Sequence, residues 1–365
     1  MNRAKDEVPR PGRPRPRWRV APAARAAGCA LAALLIPAGC RDGGPGRGVP
    51  GLEQEVVLYV ALDQVYSQPV LDEFEARTRI RVRAVFDAEA VKTVGLVNRI
   101  LAERGRPQAD VFWNNEVVRT LVLKERGALA AFVPESAAGI PDEMRDPDGF
   151  WHGFAARARV IVYNTRQIAA RAAPRTTFDL SHPQWRGRVA LAYPLFGTTA
   201  THAAALTAYF GAARTRALFK DLLANDVLVE AGNSVVRDRV AQGAAWVGWT
   251  DTDDVYAGQA QGKPVAMVLP DQDGMGALVI PNTVALIAGA PHPVTGRRLI
   301  EFLLSVEVEE MLARGPSRQI PVRAQVPVAE GGWRLDAIRV MSVDWPQVLA
   351  VLEPTGQMME ELFGR

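Results

Sequence analysis

Cysteine is nearly absent from this chain: there are two in 365 residues, Cys29 and Cys40, both within the first forty. That excludes a disulfide-dense scaffold and a four-cysteine zinc site. Histidine is scarce as well. The four, at 152, 182, 202 and 292, form no HExxH or similar cluster. No apolar run reaches the roughly 20 residues that a membrane-spanning helix needs. No Lys/Arg stripe with interleaved aromatics is present, so no nucleic-acid partner is expected. GxSxG and GxxxxGK[ST] are both missing, which leaves hydrolase and nucleotide chemistry without their usual signatures.

What is present is ordinary globular composition, 48% apolar and 23% charged. The length suggests about two domains, each able to bury a core. The net charge of +3 is unevenly placed. Eight basic residues and two acids lie in positions 1–39, and the remainder has 35 basic against 38 acidic side chains.

The basic run leads into an apolar stretch from Ala26 to Gly39. It is too short to span a bilayer and fits a signal-peptide core. It ends Ala38-Gly39-Cys40, which resembles a bacterial lipoprotein cleavage site with lipidation at Cys40; Pro37 stands where that pattern prefers Leu. Residues 1–39 are therefore expected to be a signal peptide. Residues 40–55 are expected to be a Gly/Pro-rich tether, the whole forming a membrane-anchored cell-envelope lipoprotein.

Beyond the tether, strands and helices alternate. Val56–Val60, Ile80–Phe86, Ala109–Trp113, Ala158–Tyr163 and Gly187–Leu191 read as strands, as do Leu278–Ile280 and Thr283–Ile287. Gln68–Arg79, Val94–Arg104, Thr199–Phe210, Arg214–Leu223 and one long Pro293–Ala313 segment read as helices. Val343–Leu352 and Gln357–Phe363 close the chain as two more. This alternation predicts an α/β protein with parallel-type sheets under helices.

The segments LYVALDQVYSQPVLDEFEARTRIRV, PQADVFWNNE, FAARARVIVYNT, LSHPQWRGRVALAYPLFGTTATHAAAL, GNSVV, VGWTDTDD, VIPNTVALIAGAPHP and SRQIPVR follow one another in order. Together they resemble the family 1 extracellular solute-binding proteins of ABC importers, in the ferric-iron-binding branch. The resemblance spans roughly Val56 to Arg323. It implies a two-lobe periplasmic-binding-protein fold of type II, with the ligand in the cleft between lobes. Lobe 1 is expected over 56–150 plus 279–318 and lobe 2 over 151–278 plus 319–365. The crossings are expected near Trp151–Phe154 and Asp273–Leu278. It also implies a monomer that is not an enzyme and whose partner is a permease.

Ligands of α/β sheets sit beyond the carboxyl ends of strands. By that rule Asp63, Glu116, Gly197-Thr198-Thr199 and Asp251-Thr252-Asp253-Asp254 face the cleft. Asp63, Glu116, Asp251 and Asp253 make a candidate carboxylate ring for a hard cation. Such acids would raise one another's pKa without one. Asp254 reads better as a helix cap. Thr198, Thr199, Asn233, Asn115 and Arg157 make a candidate anion site, through helix N-terminal amides, hydroxyls and a guanidinium. Thr252 and His202 are further candidates beside it.

The resemblance implies ferric iron with a synergistic anion. Ferric-binding members carry a Glu after the third strand, matched by Glu116, and an adjacent tyrosine pair. None of the six tyrosines here, at 59, 66, 163, 193, 209 and 256, is adjacent to another; Asp251, Thr252 and Asp253 stand in that region instead. Ligand identity therefore stays open between ferric iron, another hard cation, and a phosphorylated or zwitterionic organic solute. A metal-dependent hydrolase built on Asp251–Asp254, or a sensor that presents its closed form to a receptor, remains as a further alternative.

Overall fold

The computed structural model describes residues 54–87 and 94–364. The expected signal peptide, Cys40 and nearly all of the tether lie outside them. No described helix is long and apolar enough to cross a membrane.

Short β-branched runs make the sheet. β1 (Glu55–Val60), β2 (Arg81–Phe86) and β3 (Val111–Asn114) are parallel, in the order β2-β1-β3. The helix α1 (Gln64–Thr78) links β1 to β2 and buries Ser67, Val70, Leu71 and Phe74, an i, i+3, i+4, i+7 stripe. α2 (Val94–Ala102) precedes β3, and α3 (Val118–Glu125) follows it. A two-residue strand, β4 (Leu129–Ala130), comes next.

β5 (His152–Asn164) is thirteen residues long and buried throughout. Its first half pairs antiparallel with a strand from late in the chain. From Arg159 onward it pairs antiparallel with β8. The second group of strands is β6 (Val189–Ala192), β7 (Leu228–Glu230), β8 (Val247–Asp251) and β9 (Val265–Val268). Between them run α4 (Gly197–Phe210), α5 (Ala212–Ala224), α6 (Asn233–Gln242) and α7 (Thr252–Ala260). β10 (Val279–Ile287) then returns to lie between β3 and β5. The ten strands join as β2-β1-β3-β10-β5-β8-β6-β7, with β4 on β10 and β9 on β5. β5 thus belongs to both halves of the sheet.

Several elements differ from the sequence reading. β10 is a single strand that carries Pro281 and Asn282 through a register shift at Asn282/Thr283. The change of partners in β5 falls at Ala158/Arg159, further along than the expected crossing at Trp151–Phe154. The expected long helix is two, α8 (Pro293–Leu303) and α9 (Val306–Arg314). The Ser305 hydroxyl accepts from Val308 N at 3.3 Å and starts the second. Conversely, the two closing helices are one, α10 (Trp345–Phe363), which runs through Pro354. α10 packs on α3, α4 and α5, so it reaches elements of both halves. Val348 and Leu352 join the cluster around Val118 and Leu121, while Met358 and Met359 join that of Leu218 and Phe219. Residues 319–323, expected with the second half, pack on the first. Ile320 bridges Ala156, and Arg323 forms a fully buried ion pair with Glu309 at 2.6 Å.

Candidate functional site

The chain leaves β1, β3, β6, β7 and β8 toward one cavity, where Asp63, Asn115, Tyr193, Ala231–Ser234 and Asp251 line its wall. Arg157 of β5, Gly197–Thr199, Asp253 and Asp254 complete the lining. The cavity is small, about 40 Å³. Four helices, α1, α4, α6 and α7, begin at it, each with the positive end of its dipole inward. Asp63 and Asp251 hold the N-cap positions of α1 and α7, yet neither makes a side-chain cap hydrogen bond.

Asp251 turns its oxygens toward β5 instead. It lies directly across the ladder from Arg159, so the two side chains share a face. Arg159 Nη1 meets Asp251 Oδ1 at 2.7 Å, with each side chain 1% exposed. Thr198 Oγ1 donates to Asp251 Oδ2 at 2.6 Å and Asn233 Nδ2 donates to it at 3.0 Å. Arg159 Nη1 also reaches Thr198 Oγ1 and Asn233 Oδ1, at 3.1 and 3.2 Å. Thr199 Oγ1 donates to Asn233 Oδ1 at 3.2 Å. The candidate anion residues Thr198, Thr199 and Asn233 are therefore gathered around the Arg159–Asp251 pair.

Arg157 lies two residues back on β5, on the same face. Its Nη1 is 3.0 Å from Asp253 Oδ2 and 4.0 Å from Asp251 Oδ2. Its Nη2 donates to Asn282 Oδ1 of β10 at 3.1 Å. Burial alone would lower the Arg157 pKa, but the carboxylates of Asp253, Asp251, Asp254 and Asp63 outweigh it and hold it above its ordinary value. Asp251, Asp253 and Asp254 bring one carboxylate oxygen each within 4.8 Å of the others. Burial, then the charges of Asp253, Asp251 and Asp63, push the Asp254 carboxyl up to about 8; Arg237 opposes them. Thr250 Oγ1 donates to it at 2.9 Å. Asn115 Oδ1 and Arg157 Nε are buried with no hydrogen-bond partner among the described residues.

Three expected site residues stand apart from this cavity's lining. Glu116, expected as a cation ligand, accepts from Val118 N at 2.8 Å and Arg119 N at 2.9 Å, closing the first turn of α3. Thr201 Oγ1 donates to it at 2.9 Å. Its pKa is raised by burial, and its oxygens serve the α3 amides and the Thr201 hydroxyl. His202 lies behind the cavity against Trp249, ring centroids 5.1 Å apart. Burial, then Arg159, holds its pKa well below the ordinary value, so the ring is neutral. Thr252 accepts from Ala158 N at 3.2 Å and ties α7 to β5. Two residues were missed by sequence reasoning. Arg159 was signalled by its i+2 spacing from Arg157. Tyr66 lies one turn beyond Asp63; burial, then the charges of Asp253, Asp254 and Asp63, raise its phenol pKa.

A small polar cleft beyond the carboxyl ends of two groups of strands joined by shared strands defines a solute-binding protein. The chain belongs to the bacterial extracellular solute-binding proteins, whose family model matches residues 109–332. "Iron uptake protein A1" of Synechocystis sp. is 26% identical over 338 residues, covering 90% of this chain and 92% of that one. A periplasmic protein of Salmonella typhimurium, named for binding 2-aminoethylphosphonate, is 25% identical and covers 83% of this chain and 91% of its own. Among solved structures, the Trichodesmium protein IdiA (FutA) with iron and citrate covers 85% of this chain and all of its own. Its TM-score is 0.71 at 22% identity. That likeness establishes the two-lobe, type II periplasmic-binding fold.

Proposed function

We infer that this protein captures a hard cation, ferric iron foremost, together with a small anion, and delivers it to the permease of an ABC importer. Cleft closure is the whole mechanism, and no bond is broken. The observation that carries this reading is the meeting of Asp251, Asp253 and Asp254 oxygens within 4.8 Å, in a cavity that Asp63 also lines. Hard cations take such oxygen ligands. The iron-uptake names of relatives support the choice of metal. Asn115 and the amides at the starts of α4 and α6 face the same cavity and suit the anion. About 40 Å³ holds an ion with roughly three water-sized companions, which favours a small inorganic anion over citrate. The protein is read as a monomer, periplasmic and held to the membrane by lipid at Cys40.

The test is native mass spectrometry of the mature chain with ferric nitrilotriacetate. One iron is expected per chain, lost in Asp253→Asn. A second reading rests on Arg157 and Arg159 beside the acids, since opposite charges in one cleft suit a zwitterion. A 2-aminoethylphosphonate adduct in place of iron would establish that reading and end the first.

A further inference from the structure

Two acids of this site, Asp251 and Asp253, are already matched to cations supplied by the chain. Asp251 is heavily committed: Oδ1 accepts from Arg159, and Oδ2 from Thr198 and Asn233. A metal that uses Asp251 shares it with Arg159, and beside it stand Asp253, Asp254 and Asp63. Of these, Asp253 Oδ2 lies 3.0 Å from the Arg157 guanidinium. That guanidinium is 4% exposed as a residue and is tethered on its far side to Asn282, which donates in turn to Gln319. Its Nε has no hydrogen-bond partner among the described residues, and neither has Asn115 Oδ1 on the same wall. The Arg157 guanidinium is thus held at Nη1 by Asp253 and at Nη2 by Asn282, while its Nε is left over.

We propose that Arg157 is a specificity-determining residue that competes with the incoming cation for Asp253, rather than a clamp for the accompanying anion. A metal enters by taking the carboxylate that the guanidinium holds. It leaves when the guanidinium, still anchored at Asn282, takes the carboxylate back. Such an exchange keeps affinity below what the carboxylates alone would give. It also disfavours singly charged ions, which gain too little from Asp253 to repay the displaced pair. This inference rests on the cation reading above.

The test compares the full mature chain with Arg157→Gln and Arg157→Lys. The probe is ferric nitrilotriacetate, and bound iron is measured against increasing free nitrilotriacetate, with and without phosphate. Removing a positive charge 3.0 Å from the Asp253 carboxylate should tighten iron binding in Arg157→Gln by about tenfold or more and slow its release. Arg157→Lys keeps the charge, so it should stay within about threefold of wild type, with the same phosphate dependence. If Arg157→Gln binds iron no tighter than wild type, or more weakly, the competitor role is overturned while the cation reading stands. Loss of binding in Arg157→Lys by more than about tenfold overturns it too, because a two-pronged anion clamp tolerates Lys poorly. This second variant decides the matter if Arg157→Gln does not fold. Failure of wild type and Arg157→Gln alike to take up iron would overturn both the cation reading and the inference.

Discussion

Asp251 and Glu116 are both acids at the carboxyl end of a strand, and the chain uses them in opposite ways. Asp251 faces a guanidinium across a ladder; Glu116 faces the open amides of α3. Nothing in the residue type separates the two. The difference lies in which neighbours the fold brings, so the sequence showed the place and not the role. Arg159 was readable in principle, because alternate residues of a strand share a face. Two outcomes are expected at this scale. Arg159→Met leaves Asp251 charged and buried, and should cost about 3 kcal/mol or more in urea unfolding. Buried His202 refuses a proton that the unfolded chain accepts below pH 6.5. Below that pH the unfolded state binds more protons, so stability rises with pH, levels off above about 6.5 and is lost on acidification. The slope should reach about 1.4 kcal/mol per pH unit for this residue. Urea titrations at several pH values should show a flatter dependence in His202→Gln. His152, whose pKa is also lowered by burial, adds with the same sign.

Strand positions were legible because short β-branched runs between polar turns have few other uses. Helix ends were less so. The apolar pattern of Pro293–Ala313 continues across the Ser305 break, and only the hydroxyl-to-amide bond inside it marks the stop. Pro354 invited a break in the last helix that the structure does not make. Burial against three other helices outweighs one lost backbone bond there. Ser305→Ala should cost about 1 kcal/mol, read by thermal unfolding. Gly248 is the tighter case. A Cβ there would lie 2.7 Å from Ala190 O and 2.7 Å from Val236 Cγ1, between β6 and α6. Gly248→Ala should destabilise by about 1–3 kcal/mol and weaken ligand binding, since Asn233 and Asp251 sit on the elements it would push apart. Calorimetry and a binding titration on one sample would show both effects.

The described residues form a single compact unit with the cleft inside it. The α/β class and the site's place beyond strand ends followed from alternation alone. The sharing of β5 and α10 between the halves did not, because no local pattern reports which distant element a helix will cover. Because β5 and α10 are shared, thermal unfolding should be one transition, and with both cysteines outside the described residues it should be identical with and without reductant. A split into two transitions would show that the halves unfold separately. The sharing of β5 also decides what dissection of this chain can achieve. Its thirteen residues pair with β10 in one half and with β8 and β9 in the other, so a cut at β5 leaves sheet edges without their partners. A fragment ending before His152 forfeits β10, the partner of β3, and one starting there leaves β10 without β3. The binding unit is therefore indivisible at the level of the gene.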